Sequence, residues 1–120
     1  MQTHRYKKLL VWQKSMELLR LVYILTKKLP KEEQFGLSSQ IKRAALSIPS
    51  NIAEGSHRNP NKDFAHFLHM AMGSVAEVET QVEAGVVLGF WTKKEVQSVE
   101  LLTEEVIRML VGLAEKQQNS

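Results

Sequence analysis

SQIKRAALSIPSNIAEGSHR, residues Ser39 to Arg58, carries the pattern on which the fold turns. Counting from Leu37 just before it, apolar residues fall at Leu37, Ile41, Ala44, Ala45, Ile48 and Ile52. Steps of four, three, one, three and four keep side chains on one face of a helix. Pro49 lies inside that run. A proline in a helix interior removes one backbone hydrogen bond and presses on the preceding turn, at a cost of about 3 kcal/mol. The stripe nevertheless stays in phase through Ile52, so the sequence predicts one helix, over about residues 37–56, bent at Pro49. Ser50 and Asn51 are expected to satisfy the backbone groups that the proline frees.

Outward from this segment the chain reads as helices with clear punctuation. Over residues 8–28, Val11, Leu18, Val22, Leu25 and Leu29 form one stripe, with Ser15 in the remaining heptad position. Trp12, Met16, Leu19 and Tyr23 form a second stripe beside it, and Leu10, Leu21 and Ile24 break into the polar arc. A helix that serves a single core has no need of so much apolar surface. Exposed apolar patches mark interfaces, and oligomerisation is the expectation. Leu29-Pro30 ends this helix, and Lys31 to Gly36 form a short connection.

After the Pro49 helix, Asn59-Pro60 reads as an N-cap followed by proline at the first helical position. The third helix spans about residues 60–88, with Phe64, Leu68, Ala71, Val75, Val78, Val82 and Gly85 on one face and Gly89 at the C′ position. Gly73-Ser74 in mid-helix points to a close approach of two helices, because glycine there costs about 1 kcal/mol relative to alanine. The fourth helix, about residues 93–116, starts on a capping box of Thr92 and Glu95 with a Trp91–Val96 staple. Its stripe is Val96, Val99, Val106, Leu110 and Leu113, flanked by Leu102 and Ile107, and Gln117 to Ser120 are expected to fray. Short connections between long helices make neighbours antiparallel. The expected fold is all-α: one domain over residues 1–120, an antiparallel up-down-up-down four-helix bundle.

Composition excludes several functions. The 120 residues contain no cysteine, which removes disulfides and thiolate chemistry. A hydrophobic share of 43% with only 3 prolines is not that of a disordered chain. There is no signal-like N-terminal run and no apolar stretch of roughly 18 residues, so a cytoplasmic location is expected. Charge is divided unevenly: residues 1–60 hold 11 Lys/Arg against 4 Asp/Glu, and residues 61–120 hold 5 against 9. Such a division suits a polyanion ligand or complementary faces that meet in an assembly.

Catalytic chemistry finds no support. Asp63, His66 and His69 share a helix face, but a di-iron bundle needs Glu-x-x-His on two helices and two further carboxylates. Ser39-Gln40-Ile41-Lys42 matches an acylation motif whose companion motifs are missing. No phosphate-cradling glycine loop is present, and no metal or cofactor is expected. Glu54 and Arg58 are spaced to pair within the second helix, and Glu77 and Glu83 to answer Lys42 or Arg43. What remains is a basic surface, with Arg5, Lys7 and Lys8 at the start of the chain. Lys14, Arg20, Lys27, Lys28, Lys42, Arg43 and Arg58 are its candidate nucleic-acid contacts.

Leu37 to Gly55, then Phe64, Phe67-Leu68, Ala71 and Gly73-Ser74 through Glu77, together with the Val11-Trp12-Gln13-Lys14 opening, agree in order and spacing with a known family. The chain resembles the four-helix-bundle proteins encoded in intervening sequences of bacterial 23S ribosomal RNA genes, over nearly its whole length. The resemblance implies a homopentameric, barrel-like ring. It extends to the accessory subunit of diversity-generating retroelements, a basic pentamer that binds nucleic acid and a reverse transcriptase. Lys42 stands where arginine is common in the family, which keeps the charge but loses a bidentate fork.

The function expected is therefore non-enzymatic: an oligomer binding structured RNA or RNA–DNA through its basic surface. The alternative is a homo-oligomeric scaffold that docks a protein partner, such as a reverse transcriptase, with Glu100, Glu104 and Glu105 as contacts. No membrane partner is expected.

Overall fold

Pro49 sits inside α2, an unbroken helix from Leu37 to Ser56, in a computed structural model that describes residues 5–58 and 62–119. Proline has no N–H, so the Ala45 carbonyl lacks its ordinary main-chain donor. The hydroxyl of Ser47 donates to the Ala44 carbonyl at 2.8 Å. Ser50 donates to Leu46 at 2.9 Å, and the Asn51 amide to Ser47 at 2.8 Å. The last two do not reach the carbonyl freed by the proline, contrary to what the sequence suggests. In a helix a short polar side chain reaches back four residues, which carries residues 50 and 51 to 46 and 47.

Three further α-helices complete the all-α fold: α1 from Leu10 to Thr26, α3 from Lys62 to Val87 and α4 from Lys93 to Gln118. A short 3-10 turn, Arg5–Lys8, precedes α1, and another, Lys31–Glu33, lies between α1 and α2. No strand occurs among the described residues. α1 stops short of Lys28 because its end tightens, with the amides of Lys28 and Leu29 bonding back only three residues. The expected N-cap at Asn59-Pro60 lies outside the described residues. α4 runs through Gln118, beyond the expected point of fraying, with the Gln118 amide 3.4 Å from the His69 ring.

Each helix turns its predicted stripe inward. Val11, Leu18, Val22 and Leu25 of α1 meet Ile41, Ala44, Ala45, Ile48 and Ile52 of α2 in one core. Phe64, Leu68, Ala71, Val75, Val78 and Val82 join them from α3, and Val96, Val99, Leu102, Val106 and Leu110 from α4. Buried hydroxyls do not disturb this core. Ser15, Thr26, Ser56 and Thr103 each donate to the carbonyl three residues before them, so none enters the interior unpaired.

Two glycines let elements approach closely. A Cβ on Gly55 would lie 2.7 Å from Phe67 Cβ and 2.9 Å from a Phe64 ring carbon, so α3 packs hard against the end of α2. A Cβ on Gly85 would lie 2.3 Å from the Trp91 ring. Gly73, expected from the sequence to serve this purpose, is exposed, and a Cβ there would meet nothing within 4 Å. Its neighbour Ser74 makes the helix contact instead, its buried hydroxyl oxygen 2.5 Å from that of Ser47. Gly89 has φ +82° just after α3. The Phe90 amide bonds back to Gly85 and that of Gly89 to Val86, the closure that glycine at C′ permits.

At the other side of that turn the Thr92 hydroxyl accepts from the Glu95 amide and the Glu95 carboxylate accepts from the Thr92 amide, the expected capping box. α1 touches α2 and α4, and α3 touches α2 and α4. Among the described residues the backbones of the diagonal pairs, α1 with α3 and α2 with α4, do not approach closely. The helices thus stand in cyclic order, in a body 45 × 22 × 19 Å. None of the described helices is long and apolar enough to cross a membrane.

Candidate nucleic-acid interface

The structure distributes the seven predicted contact residues over several faces. Lys14 of α1 lies 3.1 Å from the Glu105 carboxylate, and Lys28, just past the end of α1, 2.6 Å from that of Glu95, so both reach α4. The Glu105 hydrogen bond and charge raise the Lys14 pKa. Lys28, and next the Thr92 amide, hold the Glu95 carboxyl below the ordinary glutamate range. Lys42 turns to the α1 side of α2, its ammonium 4.8 Å from the Tyr23 ring centroid, and does not pair with Glu77 or Glu83. Arg20, Lys27 and Arg43 are exposed. Arg43 shares a polar groove between α2 and α3 with Gln40, Ser47, Glu77 and Gln81. Arg58 pairs with Glu54 at 3.1 Å, as their spacing predicts, and its guanidinium lies 5.3 Å from the Phe67 ring.

A denser group of cations forms at one end of the body. The Arg5 guanidinium donates to the Ser56 carbonyl at 3.2 Å, where the last turn of α2 leaves acceptors open. The Tyr6 ring packs edge-on against both Trp12 and His57, with centroids 5.3 and 5.6 Å apart. Those contacts fold the start of the chain against the end of α2. Exposed Lys7 and Lys8 belong to this docked turn, exposed Arg58 follows His57 at the end of α2, and exposed Lys62 opens α3. The Arg5–Lys8 run is visible in the sequence, but its neighbours are not, because a tyrosine–histidine contact across fifty residues has no periodic signature. Lys62 is not among the residues expected from the sequence.

No group of three His, Asp or Glu side chains among the described residues is placed to hold a metal ion. His66 packs edge-on against Phe67, whereas His69 lies beside Gln118, so the two histidines have separate neighbours.

Four helices in cyclic order with a proline within the second define an all-α, four-helix protein. The chain belongs to the 23S rRNA-intervening sequence protein family, whose sequence model matches residues 7–112. The description of that family names no reaction. A crystal structure of a protein of unknown function from the S23 ribosomal protein family of Bacteroides thetaiotaomicron is similar at 25% identity. The match covers 88% of this chain and 98% of that one, with a TM-score of 0.79. No curated protein matches the chain.

Proposed function

We propose that this protein is a non-enzymatic, homo-oligomeric, cytoplasmic protein that binds structured RNA through the basic end formed by Arg5, Lys7, Lys8, Arg58 and Lys62. The observation that carries this reading is the docking of the Arg5–Lys8 turn on the end of α2. It gathers cations, of which Arg58 alone forms an ion pair with another described residue, and phosphates are what such a surface neutralises. The helices alternate in direction as a bundle. In support, Ser47 of α2 bonds Ser74 of α3, while Gly55, later in α2, meets the earlier residues Phe64 and Phe67. α2 bends at Pro49, where side-chain donors crowd the carbonyls around the missing amide. Assembly into a homopentameric ring follows from family resemblance and from the exposed Met16, Tyr23 and Leu46. A ring multiplies one modest cationic end into a surface with strong avidity.

Gel shift of a structured RNA at two salt concentrations tests the reading. Affinity is expected to fall steeply with salt, and Lys7→Glu with Lys8→Glu to weaken binding and flatten the salt slope by about one unit per lost phosphate contact. Binding that is micromolar or weaker and unchanged by salt would sink the proposal. Capture of a protein partner that survives nuclease treatment, with no RNA affinity, would replace it with the scaffold reading.

A further inference from the structure

The α1/α2 and α3/α4 edges are opposite sides of the body, since only neighbouring helices in the cycle approach closely. They carry opposite charge. On the α1/α2 edge, exposed Met16, Tyr23 and Leu46 form an apolar strip, with Lys42 against the Tyr23 ring and Arg20 and Lys27 exposed on α1. On the α3/α4 edge, an open groove is lined by Glu79, Gln97, Glu100, Glu104 and the exposed Leu101. Glu83, one helical turn beyond Glu79, is exposed as well. Glu79, Glu83, Glu100 and Glu104 enter no ion pair with another described residue.

We infer that the basic α1/α2 edge of one copy docks on the acidic α3/α4 groove of a second copy, a head-to-tail contact between different faces. This deepens the oligomer named above and rests on that reading. Charge chooses between the possible pairings. A two-fold contact of the α1/α2 edge with itself would set Arg20, Lys27 and Lys42 against their own copies, at a cost in repulsion. The head-to-tail contact joins unlike charges and sets exposed Met16, Tyr23 and Leu46 against exposed Leu101.

Level along the body agrees. Trp91 donates to the Leu25 carbonyl at 3.0 Å and Lys28 pairs with Glu95, so the end of α1 lies beside the start of α4. The Lys14–Glu105 pair fixes the other limit, so α1 from Lys14 to its C-cap Lys27 runs level with the first half of α4, where Glu100 and Glu104 lie. A copy displaced sideways, without being inverted, brings the two sets level. Every basic Arg5–Lys8 end then points the same way, which gives the assembly one cationic face.

Reversal of charge on each edge tests this. Lys27→Glu with Lys42→Glu, and separately Glu79→Lys with Glu104→Lys, are each expected to weaken self-association about tenfold or more by analytical ultracentrifugation. Circular dichroism and thermal melting check that each variant folds. An equimolar mixture of the two variants is expected to reassociate in alternating order, into chains or even-numbered assemblies, because each reversed edge finds its complement only on the other variant and a ring of five would leave one like pair. Association that survives both reversals, or a mixture that stays dissociated, overturns the head-to-tail contact while the oligomer stands. A wild-type chain that is monomeric at micromolar concentration overturns both.

Discussion

The indole of Trp91 occupies the space that a side chain on Gly85 would need, with ring carbons 2.3 Å from the position of the missing Cβ. This contact closes the turn between α3 and α4, and the indole N–H continues across to the Leu25 carbonyl of α1. Gly85→Ala therefore overpacks a junction of three helices. It is expected to cost about 1–3 kcal/mol, read as a lower denaturant midpoint with an unchanged slope.

Gly73 and Gly112 are the opposite case. Each lies within a helix, and an added Cβ would meet nothing within 4 Å. Replacement by alanine removes backbone freedom from the unfolded chain without a clash. Each substitution is expected to stabilise the chain by about 0.5–1 kcal/mol, measured by chemical denaturation. No gain at either position would show that these helices are held by something other than their local propensity.

The Ser47–Ser74 hydroxyl pair joins α2 to α3 at 2.5 Å, with Ser74 buried. Ser74→Ala is expected to cost about 1 kcal/mol, and the double variant with Ser47→Ala less than the sum of the single ones. Strict additivity in that double-mutant cycle would mean that the hydroxyls do not interact.

The two ion pairs that reach α4 give stability a dependence on pH. Glu95 has a lowered pKa in the folded chain. The unfolded state therefore takes up its proton first as pH falls, and the contribution of Glu95 is lost through and below the ordinary glutamate range. Lys14 has a raised pKa. Its contribution is complete below the ordinary lysine value and is lost as pH rises through the higher folded value. Glu95→Gln is expected to flatten the acid limb of a stability–pH profile, and Lys14→Met the alkaline limb. Limbs unchanged from the wild type would assign the dependence to other groups.

Thr92→Ala removes the acceptor for the Glu95 amide at the start of α4. A loss of about 1 kcal/mol is expected, with the helical circular dichroism signal retained. Thr92→Ser, which keeps the oxygen, is expected to restore most of it.

Helix identity and inward faces were legible because both follow from local periodicity. The stripes of α3 and α4 and the Thr92–Glu95 box needed only residues a few positions apart. Close approach was not legible in the same way. Gly73 stands in mid-helix like a packing glycine, yet Gly55 and Gly85 do that work, because only the partner rings of Phe64, Phe67 and Trp91 decide it. The basic residues were readable as a set but not as a surface. Helical phase turns Lys14 and Lys28 toward the carboxylates of α4, and the rings of Trp12 and His57 on either side of Tyr6 set where Lys7 and Lys8 gather.

Lys14–Glu105, and Lys28–Glu95 just past the end of α1, join the first helix and its end to the last, the one neighbouring pair in the cycle with no loop between them. Electrostatic attraction thus operates at the seam that chain connectivity leaves open. The α1–α2 half is rich in cations and the α3–α4 half in carboxylates. Severed between α2 and α3, the two halves would be separate polypeptides of opposite sign, suited to recombine by fragment complementation. Within one chain, the protein has the charge logic of a heterodimer.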